Sequence, residues 1–293
     1  MSEVQQPQPF TPAGLDALLP PAMARKAAEV GEAKARLDLV STFALAVLAG
    51  AFIALGAAFA TTVLAGGSSL PYGVARLLGG LAFSLGLILV VCAGAELFTG
   101  NTLIVVAWAS RRVATRRVLL LWAVVYAGNF VGSVGTAGLV ALGRQYTFGN
   151  GAVGDTALTI AATKTGLGWG QAVALGILCN ALVCLAVWLT YGARSLADKV
   201  LVVVPPITAF VALGFEHSVA NMYFIPYALF VRADGAWLAG RSGLPDLAHL
   251  TWGRFFWANL LPVTIGNLIG GSVLVGAVYW FVYLRPRRLE SAT

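Results

Sequence analysis

The sequence predicts an all-α membrane protein of six transmembrane helices in an inverted 3+3 repeat, with the second and fifth helices broken in mid-course. Three observations predict it. Hydrophobic residues make up 59% of the 293 positions and charged residues only 11%, with a mean hydropathy of +0.83, which excludes an ordinary soluble domain. Six apolar stretches, about 39–65, 76–98, 118–143, 167–192, 200–230 and 255–284, each reach the roughly 20 residues that a hydrocarbon core requires of a helix. Polar residues interrupt the second and the fifth of them at corresponding places.

In chain order, residues 1–37 form a polar N-terminal segment in which "PPAMARKAAEVGEAKARL" predicts an amphipathic helix on the membrane surface. A solubilising cap ahead of the first span is the alternative. The segment does not read as a cleaved signal peptide, because the first apolar run far exceeds the roughly 7 to 15 residues of a signal core. Residues 38–284 then form one six-span domain, and 285–293 a basic tail. The connections 144–166 and 231–254 carry no core-forming pattern of their own. Cys92, Cys179 and Cys184 all fall in apolar spans without C-x-x-C spacing, so neither a disulfide framework nor a metal site is expected.

Arginine and lysine set the orientation. Thirteen of the nineteen lie before the first span, in "RRVATRR" after the second, in the 193–199 connection and in "RPRR" of the tail, all on one side of a six-span chain. The positive-inside rule then places both termini in the cytoplasm, with the protein in the inner membrane. The net charge of +7 reports this bias, and no nucleic-acid partner is expected.

The second stretch runs "FSLGLILVVCAGAE" and meets "LFTGNT", with Glu96, Thr99, Gly100 and Asn101, before "LIVVAWA" resumes. The fifth runs "LVVVPPITAFVAL", then "GFEHS", then "VANMYFIPYALF". Backbone freed at such breaks cannot face lipid, so it must be buried in protein or line a watery path. Paired breaks in two halves point to a substrate route. The halves also share G-N-x-x-G, in "YAGNFVGSVGTAG" of the third stretch and "TIGNLIGGSVLVG" of the sixth, aligning Gly128 and Asn129 with Gly266 and Asn267. Three spans per unit require the second unit to enter the membrane inverted. The glycines themselves read as close helix packing.

"ELFTGNT", "GFEHSVANM", "FSLGLIL" and "CNALVCLAVW" together resemble the formate/nitrite transporter family, over residues 22 to 284. The resemblance implies an aquaporin-like protomer, a homopentamer with one pore per subunit, and a small anion as substrate. It implies His217 as the central pore histidine, Glu216 and Asn221 as its neighbours, and Thr99 as the hydroxyl opposite. It implies an outer apolar constriction of Phe83 and Phe210, an inner one of Leu87, Leu97 and Phe98, a vestibule lysine at Lys164, and Asn180 in the fourth span. "FTGNT" looks closer to the nitrite branch, whereas "FSLGLIL" and "CNALVCLAVW" look closer to the formate branch. Formate is the expected substrate, with nitrite or hydrosulfide as alternatives.

An anion entering a narrow apolar pore loses hydration worth several kcal/mol, so a group that neutralises it is required. Histidine is the side chain whose ordinary pKa, about 6.5, allows proton exchange near neutrality. His217 can pair with the anion as imidazolium or protonate it, while Lys164 would concentrate anions at the outer mouth. Glu216 has two roles open, in the pathway or bonding the freed backbone. An intramembrane enzyme is disfavoured: Glu216, His217 and Ser218 are adjacent and cannot converge on one atom, and the other histidine, His249, falls in a loop. A neutral-solute pore would carry paired N-P-A strings, which are absent. No cofactor is expected.

Overall fold

The computed structural model of the protein describes residues 17–67 and 70–286. Residues 1–16 of the N-terminal segment and 287–293 of the basic tail lie outside the described residues. Helices α1 (Pro20–Arg36), α2 (Leu39–Leu64), α3 (Tyr72–Ala93), α4 (Phe98–Ala109) and α5 (Thr115–Leu142) are followed by α6 (Ala152–Thr165), α7 (Trp169–Gly192), α8 (Leu196–Ala212), α9 (Ser218–Ala233) and α10 (Trp252–Tyr283). No strand occurs among the described residues. Helices α2, α3, α5, α7 and α10 are each long and apolar enough to cross a membrane. The stretch 200–230 is divided between α8 and α9, of 17 and 16 residues, neither of which alone reaches the roughly 20 needed.

Local chemistry sets the helix starts. Asp38 accepts from the Ser41 N–H at 2.9 Å and caps α2, and that bond holds its carboxyl below the usual range. Ser195 and Asp198 form a reciprocal capping box at the start of α8, with bonds of 3.1 and 2.9 Å.

Two connections hold more structure than their composition suggests. Residues 144–166, expected to lack a core pattern, contain α6, which buries Val153, Ala157, Leu158 and Ala161 along one face at helical spacing. Helix α1, expected at the membrane surface, lays Met23, Ala24, Ala27 and Ala28 against the protein itself, in one cluster with Val106 and Trp188.

The two parts of the chain pack alike. α2 contacts α3 and α5, α7 contacts α8 and α10, and α3 lies along α8. Glycines permit the closest approaches. A β-carbon on Gly132 of α5 would lie 1.9 Å from the Val47 carbonyl oxygen, and one on Gly270 of α10 would lie 2.2 Å from the Ile177 oxygen. Both obstacles are backbone, which cannot rotate away. Gly135, one turn further along α5, is exposed and meets nothing.

Gly132→Leu and Gly270→Leu are therefore expected to cost at least the ~1–3 kcal/mol of an overpacked core and to lower the melting temperature in detergent. Gly135→Leu should melt with the parent chain. Equal melting of all three would show that the glycines do not set helix spacing.

Candidate permeation pathway

Both broken helices end in the same way. α3 stops at Gly94 (φ 76°), after which the Ala95 N–H donates to the Val90 carbonyl at 2.9 Å. α8 stops at Leu213 and Gly214 (φ 73°), and the Phe215 N–H donates to the Phe210 carbonyl at 3.0 Å. Left-handed backbone costs a residue with a β-carbon about 1–2 kcal/mol, so glycine is the residue that turns the chain out of each helix. The first break thus occupies residues 94–97 and the helix resumes at Phe98, leaving Thr99, Gly100 and Asn101 inside α4. The expectation from sequence placed those three in the gap; the cap described next lets the helix restart sooner.

One asparagine repairs each gap. The Phe98 N–H donates to Asn129 Oδ1 at 2.8 Å, while Asn129 Nδ2 donates to the carbonyls of Ala46 and Glu96 at 2.8 and 2.9 Å. In the second break the Ser218 N–H donates to Asn267 Oδ1 at 2.9 Å, and Asn267 Nδ2 donates to the carbonyls of Gly176 and Glu216 at 2.8 and 2.9 Å. Both asparagines are fully buried.

Beside each gap sits a buried carboxylate with the same partners. Lys34 of α1 lies 2.7 Å from Glu96 Oε1, and Asn101 donates to Oε2 at 2.6 Å. Lys164 of α6 lies 2.7 Å from Glu216 Oε1, and Asn221 donates to Oε2 at 2.7 Å. The second set alone includes Asn259 of α10, whose amide lies 3.2 Å from Glu216 Oε2 and 3.0 Å from the Lys164 carbonyl.

The two gaps meet at His217 and Thr99. His217 Nδ1 accepts the Ala220 N–H at 3.0 Å, capping α9, and Nε2 lies 2.9 Å from Thr99 Oγ1. Because Nδ1 is an acceptor, the neutral ring carries its hydrogen on Nε2 and donates it to Thr99, whose own hydroxyl hydrogen is left free to donate. Phe210 stacks on the imidazole with centroids 5.8 Å apart, and Phe83 meets Phe210 edge-on at 5.4 Å.

Two cavities approach this centre from opposite ends. One, of about 430 Å³, is lined by Lys26, Lys34, Glu96, Leu87, Leu97 and Lys199 among others, and the second, of about 360 Å³, by Arg76, Phe83, Lys164, Phe210, Glu216 and His217 among others. No residue lines both. His217 and Thr99 are themselves buried.

The sequence profile of the family described as "Formate/nitrite transporter" matches residues 21–281, nearly the whole chain. The chain belongs to the formate/nitrite transporter family. The "Formate channel FocA" of Escherichia coli K12 is 46% identical over 273 residues, covering 92% of this chain and 96% of its own. The protein of that name from Haemophilus influenzae is 41% identical over 80% of this chain and 84% of its own. A solved structure described as "Pentameric formate channel with formate bound" matches with a TM-score of 0.79 at 44% identity, over 84% of this chain and 98% of that one. As a member of the formate/nitrite transporter family the protein is a multi-pass membrane transporter and not an enzyme.

Among the residues that the family resemblance singled out, His217, Thr99, Phe83 and Phe210 come together, and Leu87 and Leu97 line the first cavity with Glu96. Phe98 lines neither of the two cavities; it packs edge-on against Tyr126 at 4.8 Å and borders a lateral groove with Trp122 and Leu260. Asn180 also lines neither, and its amide bonds the carbonyls of Thr99 and Asn267 at 3.3 and 2.6 Å. The Glu216 carboxylate faces Lys164 and two asparagines rather than the freed backbone, which Asn267 serves.

Sequence reading overlooked Asn129, Asn267, Asn259, Glu96 and Lys34 as site residues. A signal was present: E-x-x-x-x-N recurs at Glu96–Asn101 and Glu216–Asn221, and a buried asparagine amid apolar spans is costly without partners.

Asn267 uses both ends of its amide, so Asn267→Asp should fail as fully as Asn267→Ala: a carboxylate can accept from Ser218 but cannot donate to two carbonyls. At about 1–3 kcal/mol for each buried group left unpaired, both variants should melt several degrees lower in detergent. An Asp variant with parental stability would show that the carbonyls do not need the amide.

Proposed function

We propose that the protein is a formate channel, homopentameric with one pathway per protomer, in which formate passes from one cavity to the other across the His217–Thr99 pair. The observation that carries this reading is the 2.9 Å contact of those two side chains, one from each broken helix, between two cavities with no shared lining. The reading is supported by the names of the relatives and by the formate-bound pentamer described above.

The chemistry follows from the two polar atoms at an apolar centre. Formate reaching the Phe83–Phe210 side leaves water behind, and Thr99 Oγ1–H and His217 Nε2–H are the donors that can replace it. When the ring holds a second proton, on Nδ1, it pairs with the carboxylate or hands over the Nε2 proton: the N–H bond breaks, an O–H bond forms, and neutral formic acid crosses Leu87 and Leu97 at little cost. That second proton occupies the nitrogen which otherwise accepts the Ala220 N–H, so charging the ring and capping α9 exclude one another.

In this reading α8 and α9 together make a sixth membrane crossing, and the repeat is an inverted pair of three-span units. Residues 1–37 and 285–293 are cytoplasmic and flank a channel domain of 38–284 in the inner membrane. Supporting this are the arginine and lysine bias and the matched contacts at the two gaps.

Proteoliposomes holding the purified protein are expected to take up formate, and nitrite or hydrosulfide in competition should displace it weakly. Uptake of nitrite or hydrosulfide well ahead of formate would reassign the substrate. His217→Phe should reduce formate uptake at least tenfold while the particle keeps the native mass of five protomers, and His217→Asn should flatten the pH profile of flux. A monomeric particle would end the pentamer reading, and parental flux in His217→Phe from acidic to neutral pH would end the pathway reading. Phe210→Ala combined with Phe83→Ala should raise leak and relax selectivity, as read from competing-anion flux.

A further inference from the structure

We infer that the charge recruiting anions into the His217-side cavity is Arg76, and that Lys164 is not; this rests on the anion-channel reading. Lys164 was the candidate from sequence, but its ammonium lies 2.7 Å from Glu216 Oε1 with both side chains largely buried. A fixed carboxylate at that distance cancels its field for an anion several ångströms away. The charged residues lining the cavity are Arg76, Lys164 and Glu216, and among the described residues no carboxylate pairs with Arg76. Arg76 supplies the net positive charge.

Its position adds to the effect. From the second turn of α3, the Arg76 guanidinium donates through Nε to the Ala212 carbonyl at 3.2 Å and through a second nitrogen to the Val211 carbonyl. These are the last carbonyls of α8, which ends at the break and directs the negative pole of its dipole toward the cavity. Left bare, that pole would repel an arriving anion. Arg76 covers it and leaves its remaining N–H groups facing the cavity, beside Gly214, whose added β-carbon would lie 3.5 Å from the guanidinium.

The opposite mouth is built on the same plan. Lys34 is neutralised by Glu96, whereas Lys199, in the first turns of α8, lines the cavity beside Val90, Val91 and Gly94, where α3 ends. Among the described residues no carboxylate pairs with Lys199, or with Lys26 on the same wall, so this mouth too carries unpaired cations, one of them from the start of α8.

The test is formate uptake at low concentration into right-side-out and inside-out membrane vesicles containing the full-length protein, across an ionic-strength series made with an impermeant salt. Screening lengths fall from about 30 Å at 0.01 M to about 8 Å at 0.15 M, so a recruiting charge reveals itself as a salt-dependent rate. In vesicles of one orientation, wild-type uptake should fall with salt. Arg76→Gln should start about three- to tenfold slower at low salt and lose that dependence, with the saturating rate within about twofold. Arg76→Lys should retain the salt slope, and Tyr72→Lys in the Arg76→Gln background, one turn away on the same cavity wall, should restore it. Lys199→Gln should act in the opposite orientation. If Arg76 only holds the end of α8, Gln and Lys variants will lower the saturating rate together, the salt slope will persist and Tyr72→Lys will rescue nothing, which overturns the inference. Wild-type vesicles that carry no formate would overturn the channel reading itself, whereas wild-type flux with an unaltered slope in Arg76→Gln would overturn this inference alone.

Discussion

Peptide groups released inside a membrane must find partners within the protein, and two asparagine amides provide them. Asn129 and Asn267 each accept one N–H and donate to two carbonyls, bridging a gap that would otherwise leave several polar groups unpaired at a cost of several kcal/mol each. Everything at the centre depends on this. The breaks bring Thr99 and His217 to within 2.9 Å of each other, and the glycines that bring α5 onto α2 and α10 onto α7 hold the asparagines within reach.

Much of the fold was legible because a membrane solvent simplifies the code. The apolar stretches matched five long helices and one divided pair, and the breaks were visible as polar residues where lipid forbids them. Less legible was anything that depended on partners distant in the chain. Lys34 looked like one more positive-inside charge and Lys164 like an unpaired one, because neither sequence neighbourhood contains the carboxylate that each meets. The glycines of G-N-x-x-G drew attention to packing, and the asparagine between them went unread. Helix α6 escaped notice because its buried face is short and made largely of alanine, glycine and valine.

The two gaps are alike in backbone and differ in one functional position. The residue after each glutamate is the N-cap of the resumed helix: Leu97 in the first gap, with no side-chain cap, and His217 in the second, capping its own helix through Nδ1. The two gaps share their backbone repair and differ in the side chain that follows the glutamate. A single titratable ring stands at the centre because only one of two equivalent positions carries it. Its counterpart provides instead an apolar wall for the first cavity.

Most of the partners that repair each gap come from its own side of the chain, whereas Arg76 on the last carbonyls of α8 and Asn180 on the Thr99 carbonyl cross over. The first is completed by Lys34, Leu45, Ala46, Asn101 and Asn129, and the second by Lys164, Leu175, Gly176, Asn221, Asn259 and Asn267. During synthesis, then, the first 142 residues can settle in the bilayer with the Phe98 N–H and the Glu96 carbonyl already matched by Asn129, before the remainder has left the ribosome. The later half brings Asn267 for its own gap and takes Arg76 from the earlier one. What must wait for both is the Arg76 cover on the end of α8 and the contact between Thr99 and His217, so the centre of the molecule is completed only when the two parts dock.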